Sequence, residues 1–313
     1  RPIVSAAVRC PRWCAKRFCC FRLRDMWHGK GEYKFIDDSS ECLDLEIVAR
    51  RELGETPEVK EKSLERLRQL LQEDERLRVP PDDVLLTFLR VKKYRVEDAF
   101  KAMKKYLRAR RDVPEYFDNL TPSQIPYRNV FHDHSLIMFA RNARGRTVGY
   151  LQLGKWNTDI CSMDDLMRCA LVATESNLRQ QETQVRGLVA IIDLKGFGLH
   201  HTMQLTPRYA RRIVAIGQDS LPIRLKAVYY LNTPPVFRII HAFVRPFLSS
   251  KLLSRLHFLA GDISELHEVA PPELIPKDFG GTQEDFDFNA QEEFFHSNTD
   301  YFKRMLQCGY QKK

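Results

Sequence analysis

Apolar positions along the chain change their period about a third of the way through. Between Glu58 and Leu77, the residues Leu64, Leu67, Leu70, Leu71 and Leu77 recur at helical spacing with charges between them, which predicts an amphipathic helix. Pro80-Pro81 ends it, and Asp82 or Asp83 is placed to cap the next run, VLLTFLRVKKY. A third helical pattern, VEDAFKAMKKYLRARRDV, stops near Pro114. Three consecutive helices with short connections predict a small bundle.

After the turn-rich stretch FDNLTPSQIPYRN the period shortens. SLIMFARNARGRTVGYLQL reads as two strands around residues 142–145. SMDDLMRCALVATESNLRQQE reads as a helix, with Ser162 as N-cap and Asp165 completing a capping box. VRGLVAIIDL is a continuous apolar run, the signature of a strand buried on both faces. TPRYARRIVAIGQDS follows as a helix capped by Thr206 with Pro207 at its first position. IRLKAVYYLN is the next strand, LHFLAGD a further short one, and an amphipathic helix closes the chain from Ala290 to Gln307. Helices alternating with strands predict an α/β sheet with crossovers.

Between the last two strands lies NTPPVFRIIHAFVRPFLSSKLLSRL. Arg238, His241 and Arg245 fall three and four apart, on one predicted helical face. Val236, Phe237, Ile239, Ile240, Phe243 and Val244 fill the others, an apolar arc wide enough to cover a cavity.

Charge narrows the picture. The formal net charge is +9 over 313 residues, but residues 1–25 contribute seven Arg or Lys against one acid, Asp25. Any acidic partner of the remaining chain must therefore meet a local basic patch. Residues 1–25 also hold Cys10, Cys14, Cys19 and Cys20, at spacings that fit no common zinc pattern. They read as a tail or a gene-model extension, with Met26 opening ordinary sequence.

Catalytic motifs are missing. No GxGxxG, P-loop or GxSxG element follows a strand. His132 and His134 form only a loop pair, and Asp193 is placed to cap a turn. We expect no enzyme activity, no cofactor, no metal and no nucleic acid.

FLRVKKY, AIIDLKGF, LTPRYARRIVAIGQDSLPIRLKAVYYLNTP, VRPFLSSKLLSRLHF and PPELIPKDFGG, in this order, resemble the CRAL-TRIO lipid-binding family, above all its tocopherol- and retinoid-carrying branch. The resemblance spans Glu58 to Gln307. It implies an α/β class fold: an N-terminal three-helix bundle (58–118), then a lipid-binding α/β domain (119–288) and a C-terminal helix (289–313). Residues 1–57 fall outside as a partly disordered extension. The sheet would floor an apolar cavity under a mobile helical lid, Asn232 to Leu256.

The resemblance also assigns residues. Lys92, Arg224, Lys226, Lys251 and Arg255 match a basic cleft that grips phosphoinositide headgroups, with Lys92 and Lys226 standing where a tocopherol-carrying member has Arg. Lys251 and Arg255 are expected to share one face of the lid's second helix. Met167, Ala170, Thr174, Leu188, Ile192, Ile216, Ile223 and Val228 would line the cavity, Thr174 offering a hydroxyl to a ligand with one polar end. Val236, Phe237, Ile240, Phe243, Val244 and Phe247 would form the lid's apolar side. Ile223 replaces a Glu that phosphatidylinositol-exchanging members use inside the cavity, which makes the phosphoinositide an external address rather than the cargo. The expectation is a cytoplasmic carrier of a tocopherol- or retinoid-like molecule, peripherally associated with membranes, endosomal ones included. The alternatives are phospholipid exchange, lipid-sensing trafficking and lipid modification.

Overall fold

The computed structural model describes residues 39–141, 146–259, 266, 272–283 and 286–310. The chain divides into the units Arg1–Lys34 and Phe35–Lys313, and all described residues fall in the second. The expectations for residues 1–25 and for the turn at 142–145 lie outside the described residues.

Helix α1 (Ser39–Leu53) precedes α2 (Pro57–Gln72), α3 (Asp82–Val91) and α4 (Val96–Asp112). Helices α2, α3 and α4 pack on one another, burying Leu67, Leu71, Val84, Leu85, Phe88, Leu89, Met103 and Leu107. Two details differ from expectation. Helix α2 stops at Gln72, and Leu77 instead opens a two-residue strand, β1 (Leu77–Arg78), paired antiparallel with Gly309–Tyr310. That pairing draws the C-terminus onto the bundle. Nor do Asp82 and Asp83 cap α3: Pro81 is its N-cap, and the two carboxylates bind Arg68 at 2.6 Å and Arg179 at 2.8 Å. Acids in a first turn still favour the helix through its dipole. Helix α1, inside the segment set aside as an extension, packs through Leu45, Ala49 and Leu53 on Val185.

The α/β layer follows a short helix, α5 (Pro114–Phe117). Strands β2 (Ile137–Arg141), β3 (Thr147–Gln152), β4 (Leu188–Asp193), β5 (Leu225–Leu231) and β6 (Leu256–Phe258) lie side by side in chain order. The β2–β3 pair is antiparallel and the other three pairs are parallel. Helices α6 (Met163–Leu178), α7 (Gln181–Arg186), α8 (Leu199–Gln204), α9 (Pro207–Val214), α10 (Pro235–Val244) and α11 (Ser250–Leu253) provide the crossovers. The Ser162–Asp165 capping box and the Thr206 cap are both present. Asp193 caps its turn, accepting from the Lys195 amide at 2.9 Å and the Asn232 side chain at 2.8 Å. The expected C-terminal helix is two helices, Phe288–Ser297 and Thr299–Leu306. The break is at Asn298, whose side chain turns back to the Phe294 carbonyl at 2.8 Å and competes with the helical ladder.

One buried polar network ties the layers together. The Tyr106 and Tyr301 hydroxyls each donate to Glu175 at 2.9 Å, and Arg110 lies 3.7 Å from the same carboxylate. Arg110 also donates to the Tyr106 oxygen at 2.9 Å. Burial pushes both tyrosines well above the usual phenol range, so they remain donors. Glu175→Ala would strand Arg110, which is 8% exposed. Removing one member of a buried ion pair costs about 3–5 kcal/mol, and urea unfolding is expected to show a loss of that size. A loss within about 0.5 kcal/mol, the ordinary effect of a surface substitution, would mean the network is not a stabilising tie.

Candidate functional site

The two faces of the sheet are packed differently. Val189 and Ile191 of β4 are 1% and 0% exposed, sealed with Val148, Tyr150 and Ala227 against Leu259, Ile275 and Phe279. Their alternates Ala190 and Ile192, on the opposite face of the same central strand, are only half-buried. Parallel register sets Val228 beside Ala190 and Tyr230 beside Ile192 on that face. A central strand covered by helices has no reason to keep apolar area accessible unless the covering layer stands off.

The side chains expected to line a cavity distribute around this face. Leu188, Ile216 and Val228 are buried. Met167, Ala170 and Thr174, at i, i+3 and i+7 on α6, stay half-buried while Cys169, Leu171, Val172 and Ala173 between them are buried. Met167, Ala170 and Ile223 pack against the core cluster that contains Leu188 and Ile216.

Helix α10 lies across the sheet's far end. Phe237 sits 5.1 Å from the Tyr230 ring and 6.4 Å from Phe197, and Tyr230 stacks on Phe258 at 5.1 Å. Burial pushes the Tyr230 phenol up to about 12. The helix buries Ile240 and half-buries Val236, Phe237, His241 and Val244. This corrects the expected faces. His241 turns inward, T-shaped against Phe258 at 5.1 Å, rather than outward with Arg238 and Arg245. Phe243 and Ile239, expected in the arc that covers the cavity, are 42% and 68% exposed; Phe247, expected as an apolar wedge toward the membrane, is 41% exposed. Arg238 and His241 aside, α10 is apolar all round, so its pattern does not select a buried stripe; docking on Tyr230 and Phe258 does. A second tie fixes the segment beyond α10. Gln218 accepts from the Ser249 amide at 2.7 Å and donates to the Phe247 carbonyl at 3.5 Å.

The five basic residues meet at the edge where α1, the bundle and β5 approach. Burial, with repulsion from Arg255, Lys92, Arg95 and Lys93, lowers the Lys251 pKa, which puts these cations in one field. The Arg255 guanidinium donates to the Leu225 carbonyl, between Arg224 and Lys226. Helix α11 ends at Leu253, so Arg255 lies in the following turn and does not share a helical face with Lys251 as expected. Gly187, at φ 89°, gives Arg224 its place: a side chain there would come within 2.5 Å of the Arg224 carbonyl. Sequence reasoning missed the carboxylate at this site. Glu52 of α1 binds Arg224 at 2.9 Å and Lys226 at 3.0 Å through one oxygen. Burial works against its charge, but Lys226 and Arg224 outweigh it and hold Glu52 below the usual carboxylate range. Arg90 is likewise paired with Glu55, at 2.7 Å. No residue spacing could have revealed either pair, since the partners of Glu52 are 172 and 174 residues away.

Residues 132–281 match the CRAL/TRIO domain. The chain is 32% identical over 247 residues to the human (Homo sapiens) alpha-tocopherol transfer protein-like protein, covering 78% of this chain and 72% of that one. The chain belongs to the CRAL/TRIO family. Rat (Rattus norvegicus) clavesin-1 is 27% identical over 245 residues, covering 77% of this CRAL/TRIO chain and 69% of clavesin-1. The crystal structure of Sfh5 superposes with a TM-score of 0.53 at 15% identity, covering 87% of this chain and 97% of that one, which supports the fold. Among the described residues no helix of this CRAL/TRIO protein is long and apolar enough to cross a membrane, and no three His, Cys, Asp or Glu side chains converge as metal ligands.

Gln218→Ala should loosen the segment after α10. One lost hydrogen bond is worth about 0.5–1.5 kcal/mol, so amide exchange at Ser249 should quicken about two- to tenfold. Unchanged exchange would show that Gln218 does not fasten the segment.

Proposed function

We propose that this protein carries one lipophilic molecule between the sheet and α10, and that it docks on phosphoinositide-bearing membranes through its basic cleft. CRAL/TRIO membership brings lipophilic ligand binding and transfer. The observation that carries the reading here is the contrast between the sealed and the half-accessible face of β4. Met167, Ala170, Thr174, Leu188, Ile192, Ile216, Ile223 and Val228 line the space, and a tocopherol- or retinoid-like ligand with one polar end suits an apolar wall bearing few polar groups. The segment Asn232 to Leu256 acts as the lid, with Val236, Phe237, Ile240 and Val244 inward. Ile239, Phe243 and Phe247, with Leu199 and Met203 on neighbouring α8, offer exposed apolar side chains to the bilayer. None of these steps calls for a catalytic residue.

In the docking step Lys92, Lys251 and Arg255 supply charge, while Arg224 and Lys226 must exchange Glu52 for a phosphate. Lys92→Ala with Lys251→Ala removes two cations at little structural expense. Each basic residue near an anionic surface contributes about 1 kcal/mol, so partitioning onto phosphoinositide vesicles should fall roughly thirtyfold at low salt. Glu52→Gln should strengthen it, by up to about fivefold on the same scale. Both differences should shrink in high salt, where screening falls to within about 3 Å at 1 M. Phe247→Ala should weaken binding with little salt dependence. Co-sedimentation across a salt series tests this: a Lys92/Lys251 double variant that sediments like wild type at low salt would rule out the cleft as the docking surface.

A further inference from the structure

His241 is the one inward residue of α10 with a polar side chain, and its Nε2 is buried without a hydrogen-bond partner. A buried polar atom of this kind is normally satisfied by protein or water, and each exception asks for an explanation. Its surroundings indicate which. On its own helix the inward neighbours are Phe237, Ile240 and Val244, and across from it lie the stacked rings of Phe258 and Tyr230. Phe237 packs on Tyr230 with the planes 43° apart. The result is a wall of flat rings with a single imidazole nitrogen set into it, beside the half-accessible face that carries Ile192.

We propose that His241 Nε2 is the hydrogen-bonding anchor for the polar end of the bound ligand, and that the ligand presents a flat ring bearing a hydroxyl or carbonyl. This rests on the carrier reading and specifies its polar end. A hydroxyl satisfies either imidazole tautomer, because it both donates and accepts; a carbonyl requires the tautomer with hydrogen on Nε2. The ring of such a ligand lies against Tyr230, Phe237 and Phe258 in the offset or edge-on contacts that aromatic groups prefer. An all-apolar molecule would leave Nε2 unpaired, so the site discriminates between lipophiles of equal size by one hydrogen bond. Thr174, the hydroxyl that the resemblance singled out, belongs to α6 and not to the lid. An anchor on α10 differs in consequence: displacing that helix releases the ligand's polar end and uncovers its apolar body in one movement.

The test uses the full chain and two probes, a 6-hydroxychroman with a saturated tail and the analogue in which hydrogen replaces the hydroxyl. His241→Phe keeps an aromatic ring against Phe258 and removes the nitrogen, whereas His241→Gln restores a polar group near the Nε2 position. Thermal melting confirms that both variants fold. Wild type should prefer the hydroxyl probe, His241→Phe should bind it about three- to tenfold more weakly with the deoxy probe unchanged, and His241→Gln should recover most of the loss. Equal losses for both probes would assign His241 to packing, and no loss for either would place the anchor elsewhere; both overturn the inference while leaving the carrier reading intact. Wild-type protein that binds neither probe and holds no extractable lipophile would sink the carrier reading, and the anchor with it.

Discussion

A buried carboxylate governs how this molecule is assembled. Glu175 leaves water only because two tyrosine hydroxyls and an arginine meet it, and those partners come from α4 and from the helix at the C-terminus. Satisfying it therefore clamps the bundle and the chain's last helix onto α6. Helix α6 is also the wall that bears Met167, Ala170 and Thr174. A wall held from behind by directional bonds does not have to collapse onto the sheet to be stable. The half-buried face of α6 therefore does not have to supply all of the helix's fastening.

The two sides of the sheet then divide the work. Cohesion comes from the sealed face, where Val189, Ile191, Tyr150 and Phe279 leave no accessible area to speak of. The other face is covered by α10, a short helix that rests on aromatic rings and is fastened beyond its end by Gln218. Few bonds hold it, and large apolar groups point away from it into solvent. Such an element belongs to the low-stability end of a fold, where moving parts are drawn from. At the basic edge the protein supplies its own counter-charge: Glu52 pairs with both Arg224 and Lys226. The cleft is thereby kept from being an unpaired cluster of cations. The proposed docking would then be an exchange of one anion for another rather than a simple gain.

Much of this was legible in the sequence, and the omissions have a common cause. Helical periodicity located α2, α3 and α4, since burial imposes a period of 3.6 wherever one side is dry, and a continuous apolar run located the central strand β4. The Ser162–Asp165 box and the Thr206 cap were readable because they are local. Leu77 was misplaced because its burial comes from pairing with the distant residue Tyr310, not from helix packing. Lys251 and Arg255 were set on one helical face because i, i+4 spacing is informative only while the helix lasts, and α11 ends first. His241 was placed outside because a histidine among arginines looks like part of a wet stripe; the Phe258 ring that it meets lies on a strand. Glu52 carried no signal at all, since its meaning depends wholly on Arg224 and Lys226.

The central claim is that the half-accessible face exists to hold a lipophilic molecule. Organic extraction of the natively purified protein, with mass spectrometry against a quantified standard, addresses it directly. The account predicts one predominant lipophile near one molecule per chain, bearing a single polar end, and absent from the same preparation of an unrelated protein. Extracts that contain no such molecule, from protein that is folded and that also fails to take up added lipophiles, would contradict it.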